Sequence, residues 1–280
     1  MNILFDIGGT KIRIAKAESP NKFGEVKIFE TPQKYIEGLE LLKNSIANVA
    51  GGDAIDALAG GVAGVVDRQF MLKSAPNIPD WAGKPLASDL EDAFNVQVKI
   101  ENDTALAALG EANFGAGRGF GIVGFLAIGT GVGGARTVNG ELDQKAVGFE
   151  PGHQIVDMGR SVVSDSPGID LEAMIGGRAI EKRTGKAPHD ITDRSFWDEV
   201  TKILSVGIYN SILHWSPDVF ILGGSVMNKI APLFGKLELH LKEIAIDYPD
   251  LPPLKRSELG DLSGLYGALH YTKQFIQKNN

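Results

Sequence analysis

Twice in this chain an apolar run stops at a cluster of glycines and resumes in alternating style. The first instance is Asn2–Ile7, then Gly8-Gly9-Thr10-Lys11, then Ile12, Ile14 and Lys16 in period two. The second is Ile122–Ile128, then Gly129-Thr130-Gly131-Val132-Gly133-Gly134, then Ala135–Val138. Each reads as strand, tight turn, strand. Glycines between strands let successive N–H groups converge on one point, and such a nest binds phosphate. A plain hairpin with a polar tip has the same look, so one nest is a weak signal. Two, each opening a half of the chain, form the pattern of paired phosphate clamps. Glycine contributes 35 of 280 residues, against roughly 7% in ordinary proteins, and it clusters at these strand ends.

The two commonest glycine-rich phosphate motifs do not fit. No Gly-x-x-x-x-Gly-Lys-Ser/Thr occurs, and no helix follows either turn. The 129–134 stretch leads into β-type Ala135-Arg136-Thr137-Val138, whereas a dinucleotide site needs a helix N-terminus there.

Around the turns the pattern is mixed α and β. Glu25–Glu30, Val96–Ile100 and Asp218–Leu222 read as strands, and Ala57–Val66 as another apolar run broken by glycines. Helical spacing is expected over Tyr35–Ala50, Leu86–Phe94, Thr104–Phe114, Leu171–Thr184, Phe196–His214, Ile230–Ile246 and Gly264–Gln277. Four glycines fall between Gly115 and Gly121, marking a seam. Two similar α/β domains are therefore expected, over 1–115 and 116–263, with the closing helix at about 264–280 joining the first.

Composition narrows the function. The formal charge of −7 and pI near 5.3 argue against a nucleic-acid or anionic-membrane partner. With no cysteine there is no disulfide, thiol nucleophile or cysteine-ligated metal. No apolar run approaches the ~20 residues of a membrane helix. The first run breaks at Asp6, too early for a signal-peptide core. A soluble, cytoplasmic protein is expected.

Several residues carry candidate chemistry. Asp6 ends an apolar strand beside the first nest, an awkward place for a carboxylate without a purpose. A cation between carboxylate and phosphate resolves it, and Mg²⁺ held partly through water fits. Thr10 adds a hydroxyl donor and Lys11 positive charge. Glu101-Asn102-Asp103-Thr104 stands just before a helix: Asn and Asp there suit an N-cap, and one carboxylate suits a base that orients an attacking hydroxyl. Both readings can hold together. Glu150-Pro151-Gly152-His153, followed by Glu172, supplies carboxylates and an imidazole suited to adjacent sugar hydroxyls. Leu222-Gly223-Gly224 ends a strand in paired glycines, permitting close approach to a flat ligand.

In order and spacing these pieces, with Ala75-Pro76-Asn77-Ile78-Pro79-Asp80-Trp81, resemble the ROK family of sugar kinases and sugar-responsive repressors. That family has the actin/hexokinase-like (ribonuclease H-like) α/β fold. The resemblance implies two similar domains with ATP and sugar meeting in an interdomain cleft. It implies Asp103 as catalytic base, and Asn102, Glu150, His153 and Glu172 on sugar hydroxyls, with Gly64 and Asn77 lining the sugar site. Gly8, Gly9, Thr10, Lys11, Thr130, Gly131 and Gly133 would face phosphates, and Gly223 and Gly224 the nucleoside. Mg²⁺ and ATP are the implied cofactor and cosubstrate. Glucose is the first expected sugar, N-acetylmannosamine or N-acetylglucosamine the alternative, and a homodimer the implied assembly.

Two departures matter. Many members carry zinc on the motif histidine and three cysteines, where this chain has Val163, Asp165 and Asp170. Zinc needs about four good donors, so no structural zinc is expected. The repressors resemble the kinases but carry an extra N-terminal DNA-binding module. Here the first phosphate strand begins at Asn2, which favours the enzyme over the regulator.

Overall fold

Strand β1 (Asn2–Ile7) carries no polar alternation before Asp6, and five of its six residues are buried, as in a strand covered on both faces. The computed structural model describes residues 1–143, 148–159, 168–246, 248 and 250–273. These divide into two units, one of Met1–Arg118 with the segment from Asp261, the other of Gly119–Asp143 with Phe149–Gly260.

In the first unit, β1 turns into antiparallel β2 (Lys11–Ser19). Strands β3 (Lys22–Phe23) and β4 (Lys27–Glu30) pair with the far side of β2. Helix α1 (Tyr35–Ala50) buries Leu39, Leu42 and Ile46 at helical spacing and ends at Gly51, whose φ of 63° closes it in the left-handed conformation. Strand β5 (Ala57–Val62) then lies parallel to β1. A short ribbon follows, β6 (Val65–Val66) with β7 (Leu72–Ser74). After α2 (Leu86–Phe94), β8 (Gln97–Asn102) joins parallel to β5 and runs directly into α3 (Asp103–Phe114). The sheet order is β3-β2-β1-β5-β8. Its core includes Ile3, Phe5, Ile7, Leu42, Leu58 and Trp81.

The second unit repeats the plan. Strand β9 (Ile122–Ile128) turns into antiparallel β10 (Val132–Val138), which carries β11 (Glu141–Leu142). Helices α4 (Leu171–Ile175), α5 (Gly177–Thr184) and α6 (Arg194–Trp215) lead to β12 (Val219–Gly223), parallel to β9. Helices α7 (Met227–Ile230) and α8 (Phe234–Ile244) then lead to β13 (Leu254–Arg256), parallel to β12. The order β11-β10-β9-β12-β13 matches that of the first unit position for position. Leu126, Leu171, Ile208, Phe220 and Leu237 anchor its core. The chain closes with α9 (Ser263–Tyr271), which returns to the first unit and packs on α3.

The expected helix over Leu171–Thr184 is two helices. Gly176 adopts an extended conformation with ψ of 143°, and the N–H of Gly177 leaves the helical ladder for the carbonyl of Gly129. The expected Ile230–Ile246 helix is also divided: Pro232 stands in a 3-10 turn, Ala231–Leu233, that separates α7 from α8. Strand β8 extends two residues beyond the expected Ile100, carrying Asn102 to its end. The far end of the closing helix lies outside the described residues.

Candidate active site

The carboxyl ends of β1, β5 and β8 meet along one edge of the first sheet. Parallel pairing sets Asp6 beside Gly61, and Gly61 beside Glu101. Gly61 is closely hemmed in: a Cβ there would lie 3.0 Å from Asp103 Cα and 3.3 Å from Asp6 Oδ1. From the other side, a Cβ on Gly264 of α9 would lie 2.9 Å from the Asp6 carboxyl carbon. Asp6 is thus enclosed, only 8% exposed. Burial, and then the charge of Asp103, push its carboxyl up to about 7; Arg13 opposes this and Asp261 adds to it. Arg13 reaches both partners, with Nη1 3.5 Å from Asp6 and Nη2 3.0 Å from Asp261.

The pH consequence follows from that direction. Ionisation of Asp6 opposes folding, so its contribution to stability is full below the ordinary value of 3.8 and is lost as pH rises through about 7. In metal-free protein, Asp6→Asn is expected to be more stable than wild type at pH 8, with an advantage that shrinks towards pH 4. Urea denaturation at a series of pH values checks this; a pH-independent difference between the two proteins would refute it.

The first glycine turn is closed by the N–H of Gly8 donating to Lys11 O at 2.9 Å. Thr31, just beyond β4, staples it. Its N–H donates to Thr10 O at 3.0 Å and its hydroxyl to Gly8 O at 2.8 Å. The N–H groups of Gly9 and Thr10 make no protein hydrogen bond among the described residues, and Thr10 and Lys11 are exposed. These donors remain for a ligand. Gly9 also abuts Asn77, whose Cβ would lie 2.7 Å from a Cβ at position 9.

Asn102 is the N-cap of α3: its Oδ1 accepts from the Ala105 N–H at 2.9 Å. Its Nδ2 donates to Gly64 O at 2.9 Å, so capping also ties in the loop after β5. Gly64 holds a φ of 155°, and a Cβ there would lie 2.8 Å from Leu72 Cδ1. Asp103 opens the helix, its Oδ1 accepting from the Thr104 N–H at 2.8 Å. The first unit therefore brings together Asp6, Gly8 to Lys11, Gly64, Asn77, Asn102 and Asp103.

In the second unit the turn between β9 and β10 is fixed from behind. Gly129 accepts from the N–H of Gly177 at 2.8 Å, and Thr130 from that of Arg178 at 3.0 Å. Glu172, in the first turn of α4, accepts from the Val132 N–H through Oε2 at 2.7 Å. Gly224, with φ of 90°, runs against Ile128: a Cβ there would lie 2.6 Å from the Ile128 nitrogen. Gly223 pairs with Ala127, and Ala127 with Gly133. Gly129 to Gly133, Glu172, Gly223 and Gly224 thus share one corner.

Glu150 precedes and His153 ends a 3-10 turn, Pro151–His153, in which Gly152 packs on the Val132 carbonyl. His153 is exposed, its Nδ1 3.7 Å from Asp170 Oδ2, beyond hydrogen-bond length. Asp170 caps α4, accepting from the Ala173 N–H at 2.7 Å. Val163 and Asp165 lie outside the described residues. Among the described residues no three metal-ligating side chains converge. Metal analysis of the purified protein is expected to find no stoichiometric zinc; one equivalent would overturn the reading of the 153–172 loop.

Sequence reasoning missed Thr31, Arg13, Gly61, Asp261 and Gly264. Each acts through a partner distant in the chain, and none belongs to a local pattern.

Two sheets of one repeated order, each with a glycine turn inside its antiparallel pair, belong to the actin/hexokinase-like α/β class. The sequence profile described as the ROK family matches residues 3–275, and the chain belongs to that family. It is 26% identical to the glucokinase of Thermotoga maritima, over 97% of this chain and 96% of that one. It is likewise 26% identical to the N-acetyl-D-glucosamine kinase of Mannheimia succiniciproducens, over 94% and 96% of the two chains. Among solved structures, the ROK family glucokinase of Streptomyces griseus in complex with glucose and AMPPNP superposes with a TM-score of 0.81 at 25% identity, covering 98% of this chain and 99% of that one.

Proposed function

We propose that this ATP-dependent sugar kinase of the ROK family phosphorylates a hexose, glucose first and N-acetylmannosamine or N-acetylglucosamine as the alternative. The observation that carries the reading is the placement of Asp103 at a strand–helix junction, crowded against Asp6 across Gly61. A base fixed on regular structure can hold the attacking hydroxyl in line, and phosphoryl transfer depends chiefly on such positioning and on charge neutralisation.

In this mechanism Asn102, Glu150, His153 and Glu172 orient the sugar with Gly64 and Asn77 beside it. Asp103 accepts the hydroxyl proton as the new O–P bond forms. The N–H donors of the two glycine turns, with Thr10, Thr130 and Lys11, hold the phosphates, while Gly223 and Gly224 accommodate the nucleoside. Burial and the neighbouring charge of Asp103 push the Asp6 carboxyl up, which a cation beside it would relieve, so Asp6 fits Mg²⁺, directly or through water. The bound ion would supply charge neutralisation on the phosphates. The resemblance also supports a homodimer, which analytical ultracentrifugation tests. No helix among the described residues is long and apolar enough to cross a membrane.

The deciding experiment is ADP release with Mg·ATP against a panel of hexoses and N-acetylhexosamines. Turnover with one sugar names the substrate. Sugar binding by folded protein with no turnover on any of them would replace this reading with a non-catalytic, sugar-responsive regulator.

A further inference from the structure

One carboxylate in the second unit belongs to both ligand sites proposed above. Glu172 Oε2 accepts from the N–H of Val132, the first residue of β10, at 2.7 Å. A Cβ on Gly131 would run into the same carboxylate. Behind it the turn is held by backbone hydrogen bonds, Gly177 to Gly129 and Arg178 to Thr130. The N–H of Gly176, at the junction of α4 and α5, donates to the Glu172 carbonyl at 2.8 Å. The side chain of Glu172 is therefore bound to the turn itself, and its backbone to the segment that holds the turn from behind. Its Oε1 makes no hydrogen bond among the described residues, which leaves it able to accept from a sugar hydroxyl while Oε2 keeps Val132.

We propose that Glu172 is a positioning residue for the phosphate turn, and that through it sugar binding and nucleotide binding are coupled. The inference rests on the reading of Gly129 to Gly133 as a phosphate turn and of Glu172 as a sugar contact. A glycine-rich turn has many conformations to lose on binding, and the carboxylate selects one of them. A hydroxyl on Oε1 fixes the carboxylate and so orders the turn. Linkage makes the effect reciprocal: an ordered turn improves the sugar site by the same factor.

The test is calorimetric titration of Mg·ADP, without sugar, into wild type, Glu172→Ala and Glu172→Gln. Loss of a hydrogen bond to a charged acceptor predicts about tenfold weaker ADP binding in Glu172→Ala. Glu172→Gln keeps an oxygen for the Val132 N–H and is expected to retain wild-type ADP affinity while binding sugar more weakly. A general destabilisation would not separate the two variants in this way. In the reciprocal arm, Gly131→Ala removes no proposed sugar contact yet displaces the carboxylate. It is expected to weaken binding of glucose, or of whichever sugar turns over in the panel, to nucleotide-free protein. Equal ADP affinity in all three proteins overturns the proposal, as does unchanged sugar affinity in Gly131→Ala. Should Glu172→Ala not fold, Glu172→Gln and Gly131→Ala carry the test. Failure of wild type itself to bind Mg·ADP would overturn the kinase reading and this inference with it.

Discussion

Replacing Asp103 with asparagine is expected to lower kcat by about 10²–10⁴-fold, the usual contribution of a positioned general base, while sugar affinity stays nearly unchanged. The geometry separates chemistry from folding at this position. Asp103 Oδ1 accepts from the Thr104 N–H, and an asparagine amide oxygen can accept there too. The N-cap of α3 is supplied by Asn102, so the helix start is retained. The variant also removes a negative charge from beside Asp6, which should ease ionisation of that carboxyl. A fall in kcat with unchanged sugar binding therefore reports loss of the proton acceptor. Asn102→Ala offers the contrast: it forfeits a cap, typically ~1 kcal/mol, together with the tie to Gly64. That variant should lose stability and sugar affinity together. Wild-type turnover in Asp103→Asn would remove Asp103 from the mechanism.

The parts of this protein legible in its sequence are those governed by neighbours in the chain. Strand β1, the two glycine turns and α1 show as uninterrupted apolar runs, glycine clusters and helical spacing, and all occur where those patterns place them. The capping role of Asn102 was legible for the same reason, since capping is a local interaction. What could not be read depends on distant partners. The break at Gly176 is set by Gly129, nearly fifty residues earlier. Helical periodicity runs through Leu171–Thr184 and gives no warning of a hydrogen bond that competes with the ladder. Strand β13 has three residues directly after Pro252-Pro253 and exists through pairing with β12. Arg13 looks like the outward member of an alternating strand; only the fold shows it between Asp6 and Asp261. For Glu172, sequence supplied the residue and an expected role. The hydrogen bond to Val132, which gives its carboxylate a second one, required coordinates.

The same distinction separates two glycines of α9. Gly267→Ala is expected to destabilise the protein by about 2–3 kcal/mol, a fall in Tm of roughly 5–10 °C. Helices α3 and α9 meet along backbone: a Cβ on Gly267 would strike the Leu106 carbonyl, and one on Gly110 the carbonyl of Ser263. Neither obstacle can rotate aside, so the helices themselves must separate. Separation would also strain the buried hydrogen bond from the Ser263 hydroxyl to Glu111, a carboxylate with no exposed surface. Gly264, one turn earlier, faces the side chain of Asp6 at 2.9 Å, and a side chain can yield where a backbone cannot. Gly264→Ala should therefore cost less stability but displace the carboxylate proposed to hold Mg²⁺, raising the Mg²⁺ concentration needed for half-maximal turnover. Thermal melts and Mg²⁺ titrations of the two variants, run side by side, separate packing from chemistry. If Gly267→Ala melts with wild type, the close approach of α3 and α9 is wrong. If Gly264→Ala leaves the Mg²⁺ dependence unchanged, Asp6 has no part in holding the ion.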